Sequence, residues 1–174
     1  MSNVATADAI KLKQSISEAE GYLELGMTPH ALSALQRRGK LVHGDARACY
    51  LMGESLRELS RHREALIPLN RSAALEPEDL HVWLALGWCY KRTGQLRRAI
   101  DALDRALSYA PNNALVHYNL ACYWSLAGNR RASLNHLAEA LKLDGQFRDL
   151  VDDEEDFEPL RDDPGFKLLT SVIV

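Results

Sequence analysis

The chain has 174 residues, 47% of them apolar and 26% charged, a balance that suits a folded core and excludes a disordered chain. Its net charge of −3 conceals an asymmetry: from Asp144 to Asp163 ten acids face only Arg148 and Arg161, a local balance of −8 that leaves the remainder at +5. No window approaches the roughly 18 apolar residues that span a bilayer, and the start of the chain shows no basic segment followed by an apolar run, so a cytoplasmic protein away from membranes is expected.

In chain order, residues 1–11 read as an extension of a first helix. Residues 12–45, 46–79, 80–113 and 114–147 then read as four copies of one unit with a period of 34 residues. Small residues recur at Ala19, Gly53, Gly87 and Ala121, and again at Ala31, Ala65, Ala99 and Ser133. Large residues recur at Tyr22, Leu56, Tyr90 and Trp124, and at Leu35, Leu69, Leu103 and Leu137. Apolar residues three or four apart flank the middle of each copy, which predicts two amphipathic helices rather than strands. Gly26, Gly94 and Gly128, with Ser60 in the same column, fall where the first helix must stop and reverse, a left-handed position that glycine adopts at least cost.

Thr28 followed by Pro29 reads as an N-cap and first-turn proline for the second helix of the first copy. Pro68 falls inside the second helix of the second copy, where it is expected to face solvent and bend the helix. Small Gly87 and Ala99 let paired helices approach closely while Trp83, Leu86, Tyr90 and Leu103 fill the space beside them, which places Trp83 in the core. Beyond Phe147 the period ends. In the acidic segment 148–174, Asp163 before Pro164 marks a helix start, and Phe157, Leu160, Phe166, Leu168 and Leu169 are expected to cover the fourth copy.

No catalytic pattern stands out. His30, His43, His62, His81, His117 and His136 lack HExxH spacing, no serine sits in a GxSxG elbow, and neither a P-loop nor a dinucleotide fingerprint occurs. Cys49, Cys89 and Cys122 have no CxxC pairing, which argues for reduced packing residues over a disulfide framework or a zinc site. The run from Asp152 to Asp156 lacks the alternating ligands and central glycine of a calcium loop, so it reads as a solvated or capping segment rather than a metal site. No enzyme, cofactor or metal is expected. Arg37, Arg38, Lys40, Arg97, Arg98, Arg130 and Arg131 read as solvated helix ends rather than a nucleic-acid surface.

Residues Leu80 to Asn113 carry Trp83, Leu86, Gly87, Tyr90, Ala99, Leu103, Ala106 and Pro111 in the order of a tetratricopeptide repeat, and the chain resembles that family over roughly residues 12–147. Ala46 to Asp79 is a good second copy. Ala114 to Phe147 is weaker, with His117 at the Trp position, and Leu12 to Asp45 is degenerate, with Glu18 at the Leu position. The resemblance implies an all-α, right-handed α-solenoid of about four helix pairs, closed by short C-terminal capping helices.

It also implies a concave peptide-binding groove lined by the first helix of each repeat. Read onto this chain, the wall comprises Arg47, Tyr50, Glu54 and Arg57, then His81, Leu84, Trp88, Lys91 and Arg92, then Tyr118, Asn119 and Cys122. Recurring aromatic residues flanked by cations suit a protein or peptide with apolar anchors and acidic character. The carboxylate clamp of chaperone-binding relatives would fall on Ile16, Glu20, Leu51, His81 and Ala85, which supply no cationic clamp, so that role is rejected. The resulting expectation is a non-catalytic scaffold or adaptor. The alternatives are a chaperone of the type III secretion translocator kind, or a self-assembling subunit whose groove is filled by another copy.

Overall fold

The computed structural model describes residues 2–171; Met1 and residues 172–174, the outer ends of the two terminal segments defined above, lie outside the described residues. Among the described residues every regular element is helical. The chain divides into two compact units, Met1–Gly94 and Gln95–Val174.

The first unit contains α1 (Ser2–Glu24), α2 (Thr28–Gln36), a 3-10 segment (Gly39–Gly44), α3 (Ala46–Glu58), α4 (His62–Leu75) and α5 (Leu80–Arg92). Successive helices pack on each other, and α3 also touches both α1 and α5, so the first helices of the copies lie side by side. The second unit contains α6 (Leu96–Tyr109), α7 (Ala114–Leu126), α8 (Arg130–Leu143), the short α9 (Arg148–Val151), a 3-10 segment (Glu155–Leu160) and α10 (Pro164–Thr170). There α7 packs on α6 and α8, and the Glu155–Leu160 segment lies on α7.

The repeating columns are the core. Ala19 and Ala121, Ala31, Ala65, Ala99 and Ser133, and Leu35, Leu69, Leu103 and Leu137 are all fully buried. The need for a small residue is plain at Gly53, where an added Cβ would lie 2.5 Å from Leu69 Cγ and Cδ2. Side-chain caps start α3, α5, α7 and α8: Asp45 accepts from Ala48 N, Asp79 from His81 N, Asn113 from Val116 N and Asn129 from Ala132 N.

The first helices stop as the glycine column predicts. Gly26, Gly94 and Gly128 have φ of 69°, 77° and 73°, and Ser60 adopts the same left-handed conformation at 60°. Around Gly26, Ser60 and Gly128 the backbone closes in the two bonds of a Schellman motif: Met27 N donates to Tyr22 O, Arg61 N to Leu56 O and Asn129 N to Trp124 O. Only one of these four positions lacks the residue suited to it.

Four expectations are corrected. Thr28 is the first residue of α2 rather than its cap, and its hydroxyl donates to Glu58 Oε2 at 2.7 Å, a tie from α2 to α3. Pro68 is buried within α4 instead of facing solvent, and its neighbour Ile67 is the exposed one. Trp83 is half-buried, with its indole N–H donating to Pro77 O at 2.7 Å; the fully buried residue of that turn is Val82. Leu168 is exposed and covers nothing, whereas Phe157, Leu160 and Phe166 are buried as expected. Asp163 does cap α10, accepting from Gly165 N and Phe166 N, and the same carboxylate pairs with Arg130 of α8.

Candidate partner-binding face

In the first unit, α3 and α5 present nine of the sequence-derived wall residues. Trp88 is 41% exposed, an unusual state for an indole in the middle of a helix flanked by buried Gly87 and Cys89. Lys91 and Arg92, three and four residues on, hold their charges 5.7 and 6.0 Å from its ring centroid, so the exposed aromatic surface carries a cationic rim. Leu84, one turn earlier, is half-buried on the same helical face, and His81 is exposed at the start of α5.

On α3, Tyr50 is half-buried and Arg47 lies 5.5 Å over its ring. Burial, followed by the Glu54 and Asp79 charges, pushes the Tyr50 phenol up to about 12, so it remains a neutral hydrogen-bonding group. Arg47 and Arg57 are not open cations. Arg47 donates to Glu20 of α1 at 2.8 Å, and Arg57 makes a two-pronged pair with Glu54 at 2.9 Å for each bond. The remaining cations of this wall are Lys91 and the exposed Arg92 at the end of α5. The role of Glu20 was missed because its partner lies 27 residues away, and no local spacing encodes that.

Beside this rim, Ser60, Arg61, His62, Arg63, Glu64, Arg92 and Thr93 line an open cavity of about 390 Å³. Arg61 is held by Glu64 at 2.8 and 2.6 Å. Burial and then the Arg92 and Arg57 charges lower the His62 pKa, which keeps that imidazole neutral. Sequence reasoning did not find this cavity. Its signal was the turn column, where Ser60 replaces glycine just ahead of three consecutive basic residues.

In the second unit, Asn119 is half-buried, but Tyr118 and Cys122 are 5% and 2% exposed. Tyr118 stacks on Phe147 at 4.9 Å and meets the edge of Phe157 at 5.7 Å. The segment after the last repeat thus covers this part of the wall, and these two side chains are not presented to solvent. No helix among the described residues is long and apolar enough to cross a membrane.

Residues 56–121 match the tetratricopeptide repeat family. Among solved structures, one of MamA superposes with a TM-score of 0.74 at 21% identity, covering 82% of this chain and 84% of that one. MamA 41-end from Desulfovibrio magneticus RS-1 gives 0.72 at 21% identity over 77% and 76%. YrrB, a TPR protein with an unusual peptide-binding site, gives 0.67 at 22% identity over 73% and 66%. No curated protein sequence matches the chain. At these identities the likeness is one of fold.

Proposed function

We propose that this chain, which matches the tetratricopeptide repeat family over residues 56–121, is a non-catalytic scaffold that holds a protein or peptide partner on the α3 and α5 face of its first unit. The observation that carries the reading is Trp88: a large indole left 41% exposed between Leu84 and the Lys91 and Arg92 charges. Exposed Trp and Arg in one patch are the side chains that dominate binding free energy when a partner covers them. The partner segment supplies an apolar or aromatic side chain for Trp88 and a carboxylate for the end of α5. The peptide-binding site of YrrB, which shares this fold, agrees with such a use. Tyr118 and Cys122 take no part, because the protein's own C-terminal segment covers them.

Selection from a displayed peptide library tests this, with Trp88→Ala and Arg92→Glu variants run alongside after thermal melts confirm that they fold. The expected result is a family of peptides pairing an apolar residue with nearby acids, enriched by the native protein and abandoned by both variants. Enrichment that survives Trp88→Ala would exclude this face. Sedimentation at the same concentrations separates the self-assembly alternative: an oligomer that dissociates on Trp88→Ala would make a second copy the occupant.

A further inference from the structure

The C-terminal segment brings two carboxylates to a cysteine of the last repeat. Cys122 Sγ and one oxygen each of Glu154 and Asp156 lie within 4.8 Å of one another. Cys122 and Asp156 are 2% and 9% exposed, and Glu154 is half-buried. Two carboxylates and a thiol gathered in a shielded place supply three metal-donor atoms. The nearby cation, Arg161, directs its guanidinium to the carbonyls of Asp152 and Glu154 and to the carboxylates of Asp152 and Glu158.

A second observation is independent of that cluster. Tyr118, one turn before Cys122 on α7, is 5% exposed, yet its hydroxyl has no hydrogen-bond partner. A buried hydroxyl is normally satisfied, so an orphan of this kind points to something that completes it. Tyr118 meets the edge of Phe157, the residue that follows Asp156, at 5.7 Å, which sets it beside the segment that carries the two acids.

We infer that Cys122, Glu154 and Asp156 form a binding site for one Zn2+-like divalent ion, with the Tyr118 hydroxyl beside the fourth position. One sulfur and two carboxylate oxygens form a donor set that zinc accepts in tetrahedral geometry, whereas calcium and magnesium require about six or more oxygen ligands. Bonds of about 2.0 to 2.3 Å place tetrahedral ligand atoms about 3.5 Å apart, a spacing that atoms already within 4.8 Å of one another reach by small side-chain rotations. The thiol proton leaves to solvent as the sulfur–metal bond forms, and no redox change is involved. Because Glu154 and Asp156 flank Glu155 at the start of the segment bearing Phe157, the ion would fasten that segment to α7. This site lies wholly in the second unit and does not depend on the partner-binding reading.

The sequence argued against a metal because the acids have no calcium-loop spacing and the cysteine has no CxxC partner. A ligand set drawn from a helix and from a segment some thirty residues later leaves no local signature.

Titration of the chelator-treated full chain with Co2+ tests the site. The expected result is a sulfur-to-cobalt charge-transfer band with visible bands of tetrahedral intensity, saturating at one equivalent and displaced by Zn2+. The band should persist in Cys49→Ala and Cys89→Ala and vanish in Cys122→Ala, and Asp156→Asn should weaken binding roughly tenfold or more. Absence of the band in the folded native chain would overturn the site, as would its survival in Cys122→Ala or an unchanged titration in Asp156→Asn. If Cys122→Ala does not fold, the Asp156→Asn titration decides.

Discussion

The imidazoles of His117, on α7, and His136, on α8, meet Nδ1 to Nδ1 at 3.0 Å, and the carbonyl of Pro111 determines which of them donates. That carbonyl lies 3.0 Å from His117 Nε2 and can only accept, so His117 carries its proton on Nε2. Its Nδ1 is then the acceptor, and His136 donates from Nδ1. The bond tolerates one added proton, which His136 can take on Nε2, and is lost only when both rings are charged, since two N–H groups would then face each other.

This arrangement predicts an acid-sensitive second unit. Burial first, then the His117 charge, lowers the His136 pKa below its ordinary 6.5. A base whose folded pKa is depressed stabilises the fold fully above the unfolded pKa, and the stabilisation disappears as pH falls from there toward the folded value. His62 shifts the same way in the first unit, so both contribute. Melts at pH 7.5 and 5 should show a loss of stability that shrinks in His136→Gln. An identical loss in that variant would remove the pair from the account.

Ser60 holds the left-handed turn position that glycine occupies at 26, 94 and 128. A left-handed backbone costs a residue with a Cβ about 1 kcal/mol, so Ser60→Gly should raise the stability of the first unit by about that amount. The gain is checked by the denaturant midpoint of the native and substituted chains. Gly128→Ala should move the midpoint the other way by about 1 kcal/mol, because the conformation is strained although the space is open.

The fold was legible because a repeat states its packing several times. The small and large columns at Ala65, Ala99, Leu69 and Leu103 each read as core, and each is buried. Trp83 was misread because the family pattern marks it as large without saying which way it leans, and here the indole reaches out to Pro77 O. Pro68 was misread because a proline's cost inside a helix argues for solvent, whereas its ring also serves as apolar filling. The partner face was half legible: helical register gave Trp88 and its cationic neighbours, but the neutralisation of Arg47 by Glu20 and the cover over Tyr118 arise from contacts between distant segments.

The two tryptophans of α5 should separate stability from binding. Trp83→Ala removes a half-buried ring and its bond to Pro77 O, for a loss of about 2 kcal/mol. Trp88→Ala removes the more exposed of the two rings, 41% open to solvent, and should cost less, about 1 kcal/mol or below. Chemical denaturation of the two single variants gives the comparison. A larger loss for Trp88 would mean that its ring supports the helix rather than a partner.

The approach of α3 to α4 can be tested at its tightest point. An added methyl at Gly53 would meet Leu69 Cγ and Cδ2 at 2.5 Å, and Leu69 is fully buried, so it has little room to yield. Gly53→Ala alone should therefore cost about 1 to 3 kcal/mol by overpacking. Leu69→Ala alone should cost about 2 to 5 kcal/mol through the hole it leaves. In the double variant the new methyl enters the space that the leucine vacated, so the combined loss should fall short of additivity by about 1 kcal/mol or more. Additive losses from equilibrium unfolding would show that the helices separate when Gly53 is replaced, and that close approach at this column is not what the repeat protects.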